Sequence, residues 1–597
     1  MKKKSLIALS LMFGATVVKA QEALFTQFKY TGQDVRFQKT FDPKTQYLNP
    51  ILAGFYPDPS LCRKDNTYYL VCSTFSFAPG VSIFKSDNLV DWQPLGYVLT
   101  REEQLPLRGQ QVSAGIFAPA IAYNEKNETF YMITTNVGAG NFYVKTKDPE
   151  KGWSDPIYLP QVDGIDPSFF FDKDGKGYIV HNAPVFGKDE YPGQRAIRLL
   201  RFDVDGDSIL PLPQTLPQPK QNTKTTNHIG PLPSEMAHNE YALEILRSGT
   251  HVQERPIWIE GPHLYHIGKY YYLMCAEGGT CDWHSEVILR AKSPYGPWEE
   301  APNNPILTQR TGLDPQRSDI VTSTGHADMI QTMQGDWYAV FLGCRPYEGD
   351  CYNTGRDTYM VPVKWGKDGW PTILETGKPV PTVVSRPVPK NQPTQSTLTG
   401  NFSYTDNFDT PTLSWKWMTL RNHDKDFYST GKGLRLRPSQ ASLYDREPVN
   451  AIFCRQQHTD FTAETTLADY KPQTNKDFSG MALLQNEQNN FIFGKTLRNG
   501  HPVIVLIRTE GAAVGTNHLR KQHIIIGSAE LRSENEPLRL RVEGHGRWYT
   551  FSYAEGKAAE WKTLASGVDA VNLSTHASGG FIGTMIGLYA SQLAISE

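Results

Sequence analysis

One pattern of apolar and polar positions recurs five times between residues 51 and 375. Each copy begins with small residues and proline, continues as a short apolar strand, passes a polar turn, and ends in a second strand rich in Tyr and Leu. The copies read YPDPSLCRKDNTYYLVCS, FAPAIAYNEKNETFYMITT, GIDPSFFFDKDGKGYIVHN, IEGPHLYHIGKYYYLMCAE and TGHADMIQTMQGDWYAVFLG. Repetition of such a two-strand unit is typical of radially stacked sheets, and it predicts a five-bladed β-propeller.

The remaining chain predicts a second β domain. Residues 377–399 form a proline-rich connector with little to bury. Beyond it, the stretch LRLRVEGHGRWYTFSY alternates apolar and polar positions, with Leu538, Leu540 and Val542 on one face. We therefore predict that residues 400–597 are a β-sandwich of the jelly-roll or concanavalin-like class, and that the protein as a whole is all-β.

The longest spacing in the repeat array separates the third and fourth copies. Its excess residues read LPLPQTLPQPKQNTKTTNHIGPLP and are rich in Pro, Asn and Thr. This composition indicates an inserted loop, which we expect to lie over the central pocket or against a neighbouring domain.

The first 20 residues indicate export. Three lysines precede an apolar run from Ser5 to Val18, and no lipoprotein-type cysteine follows that run. No later stretch approaches the roughly 20 apolar residues of a membrane-spanning helix. We expect residues 1–20 to be a signal peptide, residues 21–376 to be the propeller, and the mature protein to be periplasmic or secreted without membrane insertion.

Composition narrows the classes of partner. The formal net charge is −2, from 60 basic and 62 acidic residues, so nothing favours nucleic acid or an anionic membrane. Aromatic residues make up 12% of the chain, a share that suits both a β-rich core and stacking on sugar rings. The seven cysteines show no zinc-binding spacing, and their pairing stays open.

One position of the repeat carries candidate chemistry. Four of the five copies have an acidic residue or a histidine there, and the second copy has alanine. In chain order the residues are Asp58, Ala118, Asp166, Glu260 and His326. Because the first strand of each blade begins near the common axis, the pattern predicts three carboxylates and one imidazole around one pocket.

Three carboxylates in one pocket suit the cleavage of a glycosidic bond. That reaction needs an acid to protonate the leaving oxygen and a base or nucleophile at the anomeric carbon. A third carboxylate beside the acid helps to keep the acid protonated, since its negative charge disfavours a second one. The pattern therefore indicates a glycoside hydrolase.

Several phrases together resemble glycoside hydrolase family 43, in its branch of xylosidases and arabinofuranosidases with a C-terminal sandwich. These phrases are NPILAGFYPDPS, GIDPSFFFD, WIEGPHLY, AEGGT and TGHADM. The resemblance implies hydrolysis with inversion, in which Asp58 is the general base, Glu260 the general acid, and Asp166 the residue that raises and orients the acid. It also implies exo-acting release of terminal α-L-arabinofuranose and/or β-D-xylose from plant hemicellulose side chains or oligosaccharides.

The resemblance further implies substrate contacts. It places His326 at the pocket floor, Arg345 on sugar hydroxyls, aromatic walls at two phenylalanines, and two residues in the loop beside the acid. A sandwich loop is expected to close the pocket mouth. These last residues are Phe77, Phe117, Glu277, His284 and, in the sandwich, Phe427. No cofactor or metal is expected to be required, although some relatives hold a central calcium near the histidine.

Other interpretations stay open at this stage. A retaining, fructosidase-like five-bladed hydrolase would use other phrases around its carboxylates, and a non-catalytic sugar-binding propeller would need no acid and base together. The sequence does not separate xylose from arabinofuranose as the released sugar. It also leaves open the polysaccharide, the oligomeric state, and whether the sandwich contributes to the pocket.

Overall fold

A computed structural model describes residues 21–216, 228–229, 236–281, 283–390, 396–423, 426–511, 522–556 and 560–595. The predicted signal peptide and most of the predicted inserted loop lie outside these residues. Nearly all regular structure is β, and the described helices are short: Val35–Gln38, Val571–Leu573 and Thr575–Ser578. Within this part of the chain, no helix is long and apolar enough to cross a membrane.

Five antiparallel sheets follow one another along the chain, one for each copy of the repeated phrase. The first contains Ser60–Lys64, Thr67–Cys72, Gly80–Ser86 and Gln93–Leu99. The second contains Ile116–Asn124, Thr129–Asn136, Gly140–Thr146 and Ile157–Tyr158. The third contains Ile165–Phe171, Gly177–Ala183, Ala196–Asp203, Ser208–Leu210 and Ala242–Arg247.

The fourth and fifth sheets complete the array. The fourth contains His228–Ile229, Glu260–Ile267, Tyr270–Glu277, Ser285–Ala291, Trp298–Glu300 and Leu307–Thr308. The fifth contains Thr322–Gln331, Trp337–Cys344, Arg356–Trp365 and Pro371–Thr372. The first strand of each sheet contacts the first strand of the next, and the fifth contacts the first. The sheets therefore form a closed ring, which confirms the propeller.

A buried carboxylate of the fifth sheet helps to close this ring. Asp328 Oδ2 accepts hydrogen bonds at 2.9 Å from the Ser60 hydroxyl and from the Leu61 N–H in the first sheet. Its Oδ1 accepts a bond of 2.7 Å from the Tyr265 hydroxyl in the fourth. The Ser60 oxygen in turn accepts the Ile121 N–H of the second sheet at 3.1 Å. One polar chain thus joins four sheets around the axis, and its buried groups are paired.

The second domain is a sandwich of two antiparallel sheets. One contains Ala23–Gly32, Ser403–Asp406, Tyr428–Ser429, Leu434–Leu436, Asp460–Asp469, Leu538–His545, Trp548–Glu555 and Lys562–Asp569. The other contains Ala451–Arg455, Phe478–Asn486, Asn489–Arg498, His501–Glu510, Gln522–Glu530 and Met585–Ser591. Leu538, Leu540 and Val542 are buried in the core between the sheets, as their alternation predicted. The all-β fold class, propeller followed by sandwich, is confirmed.

The first strand of the chain belongs to the sandwich and not to the propeller. Residues 23–32 pair with Asp460–Asp469 and place Phe25, Phe28 and Tyr30 in the sandwich core. The prediction had assigned 21–376 to the propeller. A bulge between Phe25 and Gln27 breaks the regular alternation, so this strand carries no clean period-2 signal.

The two domains are packed against each other through an apolar cluster. The short strand Phe77–Ala78 of the propeller pairs with Thr419–Leu420 of the sandwich segment. Phe55, Phe75 and Phe77 lie in one buried cluster with sandwich side chains such as Phe453. The chain also pairs Gln46–Leu48 with Val383–Ser385 where it enters and leaves the ring. These buried apolar contacts hold the sandwich against the ring.

Candidate active site

A cavity of about 210 Å³ lies where the five sheets meet. All five sheets contribute to its wall, and one residue comes from the sandwich. The lining residues are Asp58, Phe75, Phe117, Ala118, Ile165, Asp166, Trp258, Glu260, Gly279, Thr280, His326, Arg356 and Phe581. The structure thus brings together the predicted carboxylates, His326 and Phe117.

A β-bulge repeats at the start of each first strand. In the second to fifth sheets the pairing skips two residues, and the first skipped residue has a positive φ. These residues are Ala118, Asp166, Gly261 and His326, with φ between 38° and 55°. Asp58 has a φ of 53° at the equivalent point of the first sheet. The bulge redirects the chain toward the axis, so this position faces the cavity.

Glu260 does not occupy this shared position, which corrects the alignment of the fourth copy. Gly261 holds it, and Glu260 lies one residue earlier, at the place of Phe117 and Ile165 in their sheets. A Cβ atom on Gly261 would lie 2.9 Å from the His326 ring, closer than carbon atoms approach without displacement. The neighbouring imidazole therefore requires glycine there, and the acid reaches the cavity from the preceding residue.

Asp58 is a buried carboxylate held by three polar neighbours. Its Oδ2 accepts a 2.6 Å hydrogen bond from Ser73, and its Oδ1 accepts one of 2.8 Å from the Arg356 guanidinium. His326 Nδ1 lies 3.8 Å from the same oxygen. Burial alone would raise the pKa of Asp58, but the positive charge of Arg356 and the other neighbours lower it below its ordinary value. The carboxylate is therefore ionised near neutral pH.

Glu260 has the opposite environment. Burial and the negative charges of Asp166 and Asp58 raise its pKa well above the ordinary value. Among the residues that the structure describes, its buried Oε1 has no hydrogen-bond partner. His284 Nε2 faces that oxygen at 3.8 Å. Glu260 is therefore the group in the cavity best suited to remain protonated near neutral pH.

The His284 ring is arranged as an acceptor toward Glu260. Its Nδ1 lies 3.1 Å from the Ser323 carbonyl oxygen, so Nδ1 must carry the proton and donate it. Burial lowers the pKa of His284 to about 3, which keeps the ring neutral and leaves Nε2 unprotonated. A protonated Glu260 would thus meet an acceptor on this side.

Asp166 is the third carboxyl of the cavity. Burial and the charge of Asp58 raise the pKa of Asp166 to about 7, against a partial lowering by the Gly261 N–H. That N–H donates to Asp166 Oδ2 at 3.2 Å. His326, at the same end of the cavity, has a pKa lowered to about 4 by burial and is neutral. The site therefore contains one carboxyl group with a lowered pKa, Asp58, and two with a raised pKa, Asp166 and Glu260.

Five predicted contact residues are not among the cavity-lining residues: His284 lies directly behind Glu260, and the other four lie elsewhere. Arg345 is 1% exposed and donates to Asp357, to Asp34 and to the Gln457 carbonyl oxygen. It therefore joins the fifth sheet to the N-terminal segment and the sandwich, and it is not among the cavity-lining residues. The guanidinium in the cavity is that of Arg356, which the sequence reasoning missed.

Two of the other corrections concern side chains that are buried outside the cavity. Phe77 is buried against Phe55 and Phe453 between the domains. Phe75 lines the cavity wall where Phe77 was expected. Glu277 is buried below the rim, where it accepts hydrogen bonds from the N–H and hydroxyl of Thr250. Burial raises the pKa of Glu277 to about 7. These side chains support the site from behind and do not line it.

The sandwich reaches the cavity through a residue other than Phe427. Phe427 packs in the sandwich core and stacks on His423. Phe581 instead lines the cavity and stacks on Phe75 at a centroid distance of 5.8 Å. Its N–H donates to the Ser113 hydroxyl at 2.9 Å. The phrase GGFIG around Phe581 carries no repeat or charge, so only its packing identifies it.

The described residues contain no group of three or more His, Cys, Asp or Glu side chains arranged to hold a metal ion. Below the cavity, the prolines after the bulges and the His263 and His326 rings leave a space of only about 10 Å³ on the axis. That space is about the size of one water molecule.

Comparison with known proteins identifies the family. A family model described as Glycosyl hydrolases family 43 matches residues 47–371, and one described as Beta xylosidase C-terminal Concanavalin A-like domain matches residues 405–597. The chain belongs to glycoside hydrolase family 43. It is therefore a glycosidase with a carbohydrate substrate, and its predicted sandwich, expected to be of the jelly-roll or concanavalin-like class, is concanavalin-like.

Relatives of the whole chain agree with this assignment. The protein is 33% identical to a Butyrivibrio fibrisolvens protein named Xylosidase/arabinosidase, over 91% of this chain and 95% of the relative. It is 32% identical to the Bacteroides ovatus Non-reducing end alpha-L-arabinofuranosidase BoGH43B, over 93% and 92%. A solved structure of a family 43 enzyme retrieved from a capybara gut metagenome superposes with a TM-score of 0.83, at 37% identity over 96% of this chain and 100% of that one.

Proposed function

We propose that this family 43 enzyme is an exo-acting, inverting hydrolase. In this proposal it releases terminal non-reducing α-L-arabinofuranose and/or β-D-xylose from plant hemicellulose side chains or oligosaccharides. It would act in the periplasm or outside the cell, after removal of residues 1–20. The single observation that carries the proposal is the placement of two buried carboxyls in one cavity: Asp58 accepts a hydrogen bond from Arg356, whereas Glu260 Oε1 has no hydrogen-bond partner among the described residues.

In the proposed reaction water displaces the leaving group directly, as the family resemblance implies. Asp58, ionised beside Arg356, takes a proton from a water molecule. At the same time the oxygen of that water molecule bonds to the anomeric carbon. Glu260, protonated, gives its proton to the glycosidic oxygen as the bond from that oxygen to the anomeric carbon breaks. The released sugar then has the opposite anomeric configuration. Asp58 then releases its proton to solvent, and Glu260 takes up a proton from solvent, which restores the starting state.

Asp166 supports the acid in this scheme. Its carboxyl contributes to the raised pKa of Glu260, and its hydrogen bond with the Gly261 N–H anchors it to the residue that follows the acid. Asp166 therefore fixes both the protonation state and the position of Glu260. None of these steps calls on a metal ion, and we expect none to be required.

Exo action is supported by the size of the cavity and by its aromatic wall. Its volume of about 210 Å³ is below the roughly 300–1,000 Å³ of clefts that enclose drug-sized ligands. Phe75, Phe117 and Phe581 form an aromatic wall with centroid distances of 5.0 to 5.8 Å. A cavity of this kind suits one terminal sugar and not the interior of a chain.

Parallel assays test the proposal. Aryl β-D-xylopyranoside and aryl α-L-arabinofuranoside report the accepted sugar, and xylo- and arabinoxylo-oligosaccharides report the cleaved end. We expect single sugars as the first products, with inverted configuration in an NMR time course, and an Asp58→Asn variant that is inactive on every substrate. Retention of configuration, or release of internal fragments first, would overturn the proposed reaction.

A further inference from the structure

Trp258 forms the mouth of the cavity. It is 38% exposed, and every other described residue in the cavity wall is buried or only partly exposed. Its ring therefore borders both the cavity and the solvent. The ring is therefore available to a substrate that extends out of the cavity on this side.

The backbone of Trp258 has an unusual conformation, and its ring is held by a neighbouring side chain. Its φ is 52°, a value that is rare for a large side chain and is kept where the surroundings enforce it. Its N–H donates to the Gly193 carbonyl oxygen at 2.8 Å. The Arg195 guanidinium lies 4.7 Å from the ring centroid, within the range of a cation–π contact. The connection between the second and third strands of the third sheet thus contacts Trp258 from outside.

The neighbouring rim loop leaves room for the ring. A Cβ atom on Gly279 would lie 3.2 Å from Trp258 Cδ1, so glycine allows this loop to approach closely. The same loop continues to His284, which faces the Glu260 carboxyl. Trp258 itself precedes that glutamate by only two residues. The ring is therefore fixed at the side of the cavity from which the acid acts.

The bond that the enzyme cleaves determines which part of the substrate lies over this ring. Under the proposed function, on which this inference rests, Glu260 must reach the oxygen that joins the enclosed sugar to the rest of the substrate. The next sugar begins at that oxygen and must extend through the mouth. We infer that Trp258, backed by Arg195, is the stacking platform for this leaving-group sugar, a ring of a hemicellulose backbone or oligosaccharide.

Substrates with and without a leaving-group sugar test the inference. A glycosyl fluoride carries the same reacting sugar but releases only fluoride, which is too small to contact the platform. For Trp258→Ala we expect kcat/KM on the matching disaccharide or trisaccharide to fall about 3- to 10-fold more than kcat/KM on the glycosyl fluoride. Trp258→Phe, which keeps an aromatic face, should recover most of the loss.

A matched control is available in the sandwich. Trp548 is 51% exposed and has Arg547 at 5.3 Å from its ring, but it does not line the cavity. Trp548→Ala should leave both kcat/KM values unchanged, and thermal unfolding of each variant reports its folding. Equal losses on fluoride and oligosaccharide, or no loss on either, would overturn the platform. Failure of the proposed function is a different result, in which the wild-type enzyme hydrolyses neither substrate.

Discussion

The propeller and the sandwich contribute to the same cavity in different ways. Every titratable side chain in the described cavity wall belongs to the propeller, and most of these side chains sit at or beside its repeated bulge. The sandwich contributes one apolar ring, that of Phe581. The comparison separates two tasks. The repeated strands supply charge at fixed positions, whereas the second domain removes water from around it.

Arg356 is the point at which the two contributions meet. One of its nitrogens donates to Asp58 Oδ1 at 2.8 Å, and the other donates to the Phe581 carbonyl oxygen at 3.3 Å. The same guanidinium therefore stabilises the charge of the base and holds the segment that closes the cavity. The chemistry and the enclosure are physically linked, although they come from different domains.

Of the variants that compare the two domains, removal of the propeller's acid should have the largest effect. In Glu260→Gln, kcat/KM for oligosaccharides should fall about 10²- to 10⁴-fold, because no group protonates the leaving oxygen. Hydrolysis of a glycosyl fluoride should fall far less, since fluoride leaves without a proton. Glu277→Gln is the control, a buried glutamate of the same sheet outside the cavity. If both substrates lost activity equally in Glu260→Gln, its role as acid would be wrong.

The link between the domains should appear in stability. Arg345→Met leaves the buried carboxylates of Asp357 and Asp34 without their partner, and we expect about 3–5 kcal/mol of destabilisation in denaturant unfolding. The partly exposed pair of Arg541 with Glu464 provides the control, for which Arg541→Met should cost less than about 1 kcal/mol. A variant of Arg345 with unchanged stability and a raised KM would instead favour the sugar contact that the sequence suggested.

The sandwich's own contribution should be smaller than that of the acid. Phe581→Ala opens the aromatic wall and admits water, and we expect kcat/KM to fall about 10-fold on fluoride and oligosaccharide alike. Phe581→Leu, which refills part of the space, should lose less. Unchanged activity in the alanine variant would mean that the sandwich only supports the propeller. Thermal unfolding should be measured in parallel, since Phe581 also packs on Phe75.

The smallest effect concerns pH. Glu260 acts in its protonated form and has a raised pKa, so kcat/KM should fall as the pH rises through that value. Asp58 acts ionised and has a lowered pKa, so activity should persist well into the acid range. Asp166→Asn removes a negative charge that raises the acid's pKa, and the alkaline limb should move down by roughly 1 pH unit. An unmoved limb would contradict the electrostatic role of Asp166.

Much of the site could be predicted because the repeat is local. Each bulge is built from adjacent residues of one strand, so Asp58, Asp166 and His326 stand at equivalent positions in the printed sequence. Glu260 was found by its residue type, but its register was wrong by one position. That register depends on the contact between Gly261 and the His326 ring of the next sheet, which no single strand reveals.

The sequence by itself determined the all-β class, the propeller, the sandwich and the three carboxylates, since period-2 alternation and repetition are properties of neighbouring residues. Only the tertiary structure decided which aromatic and cationic groups face the sugar. Arg345 and Arg356 lie in adjoining parts of one sheet, with Arg356 paired to Cys344, and packing alone sends one into the cavity and the other into the domain interface. Phe581 and the N-terminal strand act across hundreds of residues, and such contacts exist only after the chain has folded.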